Sequence, residues 1–373
     1  MKKILQVVGC LENGGTEQFL MSIYRQIDKN RFQFDFYVLN PQYISETIYN
    51  EIVSMGGQVI YGTHFGLGYN QRGKKLLKKV IRQYGPYDAI HSHINLGNAY
   101  ILPVAKREKI PCRISHCHAI ESFSHKRILK KIYYKYLQKK LLKSATDIVS
   151  CSIEAGVSLY GEYRKNQILV IKNGINYTKF LQSDVKELLQ KYPLLQNNDC
   201  VWGNITRFDD NKNQSFILDI FKDFLNFNNR AVLVLGGYDA GCRQQITNKA
   251  KDLGIDSKVL ILGGQTNIEK WLNLFNVFVF PSKSEGFGIA LLEAEAAGCK
   301  CFASTNVPKM TDIGLGMVEY IDLQTKSIEW AKKIFISLSS YQKPSIEARE
   351  QAIIKNGFSI NDTIKDIYKI YER

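Results

Sequence analysis

The feature that most constrains this chain is a series of short apolar runs, each separated from the next by a helical pattern, and the series occurs twice. In the first series "KILQVV", "FDFYVL", "QVIYG", "YDAIHSH" and "CRISHCH" read as strands. "EQFLMSIYRQI", "KLLKKVIRQY" and "RILKKIYYKYLQKKLL" read as helices between them. "ATDIVSCSIEAG" and "ILVIKNGIN" close the series, and the turn signal Asn173–Gly174 places the linker. The second series offers "CVWGNIT", "AVLVLGG", "KVLILGG", "VFVFPS" and "KCFAST" as strands, with "QSFILDIFKDFL", "QQITNKAKDLG", "IEKWLNLF" and "ALLEAEAAG" as helices. Strand, crossover and strand in repetition predict parallel, doubly wound sheets of α/β class. At 373 residues the chain exceeds one ordinary core. Two Rossmann-like domains are expected, 1–174 and 175–373, with a last helix at about 359–372 that can pack back on the first. Ligands of open α/β sheets lie beyond the carboxyl ends of the strands, so chemistry is sought directly after them.

The charge is lopsided. Residues 1–170 carry 25 Lys/Arg against 12 Asp/Glu, and the remainder carries 25 against 23, within a net charge of +15. The first half therefore calls for an anionic partner: a membrane face, nucleic acid or an anionic substrate. From His125 to Ser144 there are eight Lys/Arg and no acid. Ile128, Leu129, Ile132, Tyr133, Tyr136 and Leu137 recur there at helical spacing, and this apolar side is expected to pack. "RGKKLLKKVIR" at 72–82 repeats the pattern. An anionic membrane surface met through residues 126–143, or a lipid-linked substrate, accounts for both segments. No nucleic-acid-binding motif accompanies the charge, so nucleic acid is not expected as a partner. No apolar run reaches the length of a membrane span, and "MKKILQVVGC" reads as a strand rather than a signal peptide. Eight scattered cysteines without C-x-x-C read as reduced thiols. The expected place is the cytoplasm, at the inner face of the cell membrane.

"SEGFGIALLEAEAAG", residues 284–298, combines a glycine loop with an apolar helix. Gly286 and Gly288 let backbone N–H groups approach a ligand, and the helix N-terminus that follows favours an anion. Glu285 ahead of it suits a hydroxyl-rich partner. Glu293, inside the helix, needs partners that vicinal ribose hydroxyls would supply. A solvated face with Glu293 and Glu295 pointing outward is the plainer alternative. "GNITRFDDNKNQ" puts Arg207 and Lys212 after the first strand of the second series, where two cations suit a diphosphate; two ordinary surface cations would look the same. Gly14 and Gly15 lie between the first strand and first helix without the full dinucleotide fingerprint. His91, His93, His116 and His118 end strands. No carboxylate or cysteine completes a metal set with them, so neither a metal nor another cofactor is expected.

Taken together these stretches resemble the retaining glycosyltransferases of family 4, which have the GT-B architecture of two facing Rossmann-like domains. Glu285, Gly286, Phe287, Gly288, Leu292, Glu293 and Ala294 fall on that family's E-x7-E element, and Arg207, Lys212 and Asn213 on its paired-cation loop. The G-G-x-E form at Gly14 and Gly15 is similar to its first loop. The branch it resembles most is the one that makes exopolysaccharide and capsular polysaccharide, on "RISHCH" and "ATDIVSCSIEAG". The resemblance implies metal-independent transfer from a nucleotide-diphosphate sugar, with a UDP-sugar favoured, to a glycan or lipid-linked acceptor. It implies that Arg207 and Lys212 hold the diphosphate, with Gly14, Gly15, Gly286, Phe287, Gly288 and Ile289 around the donor. Glu285 would meet the donor sugar and Glu293 the ribose. His118, or failing it His116, would lie near the reactive carbon. The chain departs from the family at Asn176, at Asn276 and in "CKCFASTNVPKM" after Gly298. A nucleotide-sugar 2-epimerase, or a subunit that only binds sugar or anionic polymer, stays open on these residues.

Overall fold

A computed structural model describes residues 1–12, 14–63, 70–120, 128–196 and 198–373. His125, Lys126 and Arg127 of the basic segment lie outside the described residues. The chain divides into two compact units, Met1–Gly174 with Ile360–Arg373, and Ile175–Ser359. The second unit thus stops at Ser359, and the last helix is part of the first.

The first unit is built on a seven-stranded parallel sheet. Its strands are β1 (Lys2–Val8), β2 (Phe32–Val38), β3 (Gln58–Tyr61), β4 (Ala89–Ser92), β5 (Cys112–Cys117), β6 (Asp147–Ser150) and β7 (Leu169–Val170). Their spatial order is β3-β2-β1-β4-β5-β6-β7. The second unit holds β8 (Cys200–Ile205), β9 (Ala231–Gly236), β10 (Val259–Ile261), β11 (Val277–Phe280), β12 (Lys300–Ser304) and β13 (Val318–Ile321) in the order β10-β9-β8-β11-β12-β13. Both sheets grow outward in opposite directions from an inner pair, β1 with β4 and β8 with β11. Chain order reverses at that pair, and the crevice it leaves is where such sheets bind ligands.

The local reason is burial on both faces. Every residue of β8, β9, β11 and β12 is buried, as continuous apolar runs in a parallel sheet require. β13, "VEYI", is a half-buried edge strand with no apolar run, and the sequence does not announce it. Asn276, which departs from the family pattern, is structural: its side-chain oxygen accepts the Val201 N–H at 2.7 Å.

Two helices of the first unit bear on function. Ile128–Leu142 carries apolar residues on opposite sides. Leu137 and Leu141 are buried, and the Tyr134 hydroxyl donates to the Ser158 and Leu159 carbonyls at 3.0 and 3.2 Å. Ile128, Leu129, Ile132, Tyr133 and Tyr136 are exposed, the first two at 79% and 81%. The expectation that this stripe packs is therefore corrected: one core covers one face of a helix, and the face through 134, 137 and 141 has taken that place. The helix Ile360–Tyr371 buries Ile360, Ile364, Ile367, Ile370 and Tyr371 in the core that contains Ile4 and Phe34. Tyr368 stacks on Phe32 with ring centroids 5.1 Å apart.

Because Ile367 is fully enclosed in that core, Ile367→Ala should cost about 2–5 kcal/mol of stability. Denaturant titration followed by circular dichroism measures it. A loss near zero would mean that the helix is not anchored on the first unit.

Candidate active site

In the second unit the loops after β8 and β11 flank the chain reversal and are tied to each other. The Lys283 N–H donates to the Asn211 carbonyl at 2.8 Å, the Asn211 side chain to the Ser284 carbonyl at 2.8 Å, and the Asn213 side chain to the Pro281 carbonyl at 3.2 Å. Behind them runs a buried chain. Gln214 donates to the Thr206 hydroxyl at 3.0 Å, Thr206 to the Asn204 side-chain oxygen at 2.5 Å, and Asn204 to the Val279 carbonyl at 2.8 Å. Asn213 has φ +57°, a left-handed conformation that asparagine and glycine tolerate best.

That framework holds the two cations, and each is paired. The Arg207 guanidinium places Nε and Nη2 both 2.7 Å from Asp209 Oδ2, while Asp209 Oδ1 accepts the Lys212 N–H at 2.9 Å. Lys212 Nζ lies 2.6 Å from Glu285 Oε1 and 5.0 Å from the centre of the Phe280 ring. Lys212 and Glu285 are largely buried, whereas Arg207 is half exposed. The structure thus joins the two motifs through a direct ion pair, whereas the sequence assigned Glu285 a hydroxyl-rich partner. Asp209 and Asn211 were missed by the sequence reading; their signal is the polar run "DDNKN" between a strand and a helix.

Gly288, with φ +94°, precedes the helix Ile289–Ala297, and among the described residues no side chain caps that N-terminus. A Cβ on Gly288 would come within 3.2 Å of Val307. Ile289 is partly buried at the first turn. The Phe287 side chain is buried edge-on against Phe358, so only its backbone is left for a ligand. Glu293 is partly exposed, and burial, with Glu269 nearby, pushes its carboxyl up to about 8. Glu295 is fully buried and accepts the Ile313 N–H at 3.2 Å. Burial and then Asp312 hold its carboxyl well above the usual range. The alternative of an outward face bearing both glutamates does not occur.

In the first unit, Gly14 precedes the helix Gly15–Gln26. A Cβ on Gly14 would strike the Glu17 carboxylate, while Gly15 has open space. Phe19 of that helix meets His116 and His118 edge-on, with centroids 5.5 and 5.4 Å away. His116 is fully buried and His118, just past β5, is partly exposed. His91 of β4 and His93, just past it, lie beside them. Burial lowers all four: His118 to about 3, and His91, His93 and His116 well below the usual histidine value. They are neutral near pH 7 and can serve as hydrogen-bonding groups rather than as cations. Among the described residues, one ring nitrogen from each of His91, His93 and His116 falls within 4.8 Å of the others. A metal would have to break hydrogen bonds that already engage both nitrogens of His91 and of His93.

Two family models match, "Glycosyltransferase Family 4" over residues 13–179 and "Glycosyl transferases group 1" over 185–314. The chain belongs to the family 4 glycosyltransferases of GT-B fold. This glycosyltransferase is 27% identical to EpsF of Bacillus subtilis (strain 168), a protein named as a glycosyltransferase, over 99% of this chain and 96% of that one. It is 27% identical, over 79% and 77%, to the UDP-Gal:alpha-D-GlcNAc-diphosphoundecaprenol alpha-1,3-galactosyltransferase of Escherichia coli. It is 24% identical, over 100% and 99%, to the capsular polysaccharide biosynthesis glycosyltransferase CapH of Staphylococcus aureus. Among solved structures it shares the fold of Anabaena HepE, crystallised with UDP and glucose, at TM-score 0.81, 19% identity and full coverage of both chains. Among the described residues no helix of the glycosyltransferase is long and apolar enough to cross a membrane.

The raised carboxyls of Glu293 and Glu295 have a consequence for stability. Each binds its proton more tightly folded than unfolded, so its contribution is complete below the unfolded value and is lost as pH rises through the folded one. Resistance to denaturant should therefore fall between about pH 5 and 8, and Glu293→Gln or Glu295→Gln should each flatten the fall. A wild-type curve that rises over this range would contradict the raised proton affinity of both groups.

Proposed function

We propose that the protein is a retaining, metal-independent glycosyltransferase of cell-surface polysaccharide synthesis. It takes a sugar from a nucleotide diphosphate, UDP in the favoured case, and gives it to a glycan or lipid-linked acceptor. The observation that carries this reading is the Lys212–Glu285 pair at 2.6 Å, beside Arg207–Asp209 and an uncapped helix N-terminus. Two cations and a helix dipole converge there, and each cation is held by a carboxylate that a diphosphate can displace. The E. coli relative, whose name contains both a UDP-sugar and a diphosphate-linked lipid, supports the donor and acceptor classes. HepE, crystallised with UDP and glucose, supports the nucleotide.

In this mechanism the diphosphate takes Lys212 and Arg207. Glu285 is released to the hydroxyls of the donor sugar, and Glu293 accepts from the ribose. As the glycosidic bond breaks, charge accumulates on the leaving phosphate, where Arg207, Lys212 and the helix N-terminus after Gly288 stabilise it. The acceptor hydroxyl attacks from the face the leaving group departs, and its proton passes to the departing phosphate oxygen. His118, being neutral, meets the sugar as a hydrogen-bonding partner. The backbones of Gly14, Gly15, Gly286, Phe287, Gly288 and Ile289 line the donor.

Placement at the inner face of the cell membrane belongs to the same proposal. The exposed Ile128, Leu129, Ile132 and Tyr136 stand among the exposed Lys130, Lys131, Lys135 and Lys139. Lys74 and Arg107 lie close enough to Lys140 to lower it further after burial, so the basic segment 72–82 adjoins this helix. Apolar side chains interleaved with cations suit a leaflet of anionic lipid.

Lys212→Ala should lower turnover by roughly a hundredfold or more, the scale of a lost transition-state donor. Glu285→Ala should abolish transfer, yet bind UDP at least as tightly as wild type, because Lys212 loses its competing partner. Calorimetry and a radiolabelled-sugar assay read the two effects. A Glu285→Ala enzyme of normal rate would refute the site, an inverted product the retaining mechanism. Donor turnover without acceptor to a rearranged sugar would put an epimerase in its place.

Flotation with anionic vesicles should recover the protein at low salt and lose it as salt screens the attraction. Replacing Lys130, Lys131, Lys135 and Lys139 by Gln should abolish recovery. Equal recovery with neutral vesicles would remove the membrane placement and leave the transferase untouched.

A further inference from the structure

The four histidines of the first unit are not independent. His118 Nε2 is 2.8 Å from His93 Nδ1, and His93 Nε2 is 3.0 Å from the Gln6 side-chain oxygen. The Gln6 amide donates to the Tyr371 hydroxyl at 2.9 Å, and that hydroxyl is 2.7 Å from His91 Nδ1. His91 Nε2 is in turn 3.0 Å from His116 Nδ1. Six side chains from β1, β4, β5, the residues just past β4 and β5, and the helix Ile360–Tyr371 thus form one unbranched chain. Its two ends come back together, since the His116 and His118 rings stack with centroids 4.0 Å apart. The two end nitrogens, His118 Nδ1 and His116 Nε2, are buried and have no partner among the described residues.

Counting protons along the chain gives a definite result. Each neutral imidazole carries one N–H, Tyr371 one O–H, and Gln6 presents a donor on one side and an acceptor on the other. With the Gln6 oxygen toward His93, His93 must be protonated on Nε2 and His118 on Nε2, which leaves His118 Nδ1 as a bare acceptor. On the other arm Tyr371 donates to His91, His91 to His116, and His116 Nε2 carries a proton. Turning the Gln6 amide over reverses every bond and exchanges the two ends. In either direction one end donates and the other accepts. The lowered proton affinity of all four rings keeps them neutral, which the count requires.

We propose that Gln6 and Tyr371 are positioning residues that force opposite hydrogen-bonding roles on the end nitrogens of His118 and His116, and so fix the tautomer that His118 brings to transfer. The effect on transfer rests on the reading of His118 as a residue near the donor sugar. The role of a ring nitrogen is set by the bond its partner nitrogen makes, and here that control reaches from the last helix of the chain to the end of β5. A metal-binding role is disfavoured by the same bonds, which already engage both nitrogens of His91 and His93.

The test uses full-length protein with 15N-labelled histidine rings and no ligand. In wild type, one of His118 Nδ1 and His116 Nε2 should give the signal of a protonated nitrogen and the other that of a bare one. Both protonated, or both bare, would overturn the proposal without any variant. Tyr371→Phe cuts the chain in the middle and should give mixed tautomers at His116. It should lower kcat of transfer by about tenfold while the donor KM moves less than about twofold, a small part of what a wrong tautomer costs a catalytic histidine. A folded Tyr371→Phe enzyme with unchanged ring signals and unchanged kcat would also overturn it. His118→Ala separates the two readings. If it transfers at the wild-type rate while the wild-type rings keep opposite states, the hydrogen-bond chain stands and only the sugar-contact role of His118 is lost.

Discussion

The candidate site depends on one constraint, the reversal of chain order between β8 and β11. Neighbouring parallel strands whose crossovers leave in opposite directions open a crevice at their carboxyl ends, because no connection covers it. The loops 206–213 and 281–288 emerge on its two sides. They are held in register by short hydrogen bonds from Asn211 and Asn213 to the opposite backbone, and from below by the buried Asn204–Thr206–Gln214 chain. With the backbones tied, Lys212 and Glu285 have little freedom to do other than meet.

Electrostatics then divides the chemistry of the two units. In the second, every named cation has a carboxylate within hydrogen-bond distance. Such pairing keeps a largely buried ammonium from standing uncompensated, and it makes anion binding an exchange of partners rather than the filling of an empty positive site. In the first unit the residues at the corresponding strand ends are neutral. Burial strips the four histidines of their protons, so that crevice can orient polar groups without competing for an anion.

The helix Ile360–Tyr371 links the chain's end to its beginning. Its isoleucines fill the core beside β1 and β2, and this places the Tyr371 hydroxyl between Gln6 and His91. An apolar surface thereby positions a polar group more than 250 residues from its histidine partner in sequence. The same economy of faces explains the helix Ile128–Leu142. One side is used by the unit's own core, and the other is left outward among lysines.

The sequence by itself determined the alternation of strands and helices, and hence which residues stand at strand ends. Those are local properties: apolar runs, glycine turns and the 3.6-residue period act over a few neighbours. It therefore located Arg207, Lys212, Glu285, Glu293 and the histidines, and the polar loop around them. Only the tertiary structure decided their partners. That Lys212 pairs with Glu285 and Arg207 with Asp209, that Glu295 is enclosed while Glu293 is not, that β13 closes a sheet edge, and that Gln6 and Tyr371 bind the histidines together all follow from contacts between distant segments. Periodicity shows that a helix has an apolar face; it does not show whether that face is covered, because the cover is another part of the chain.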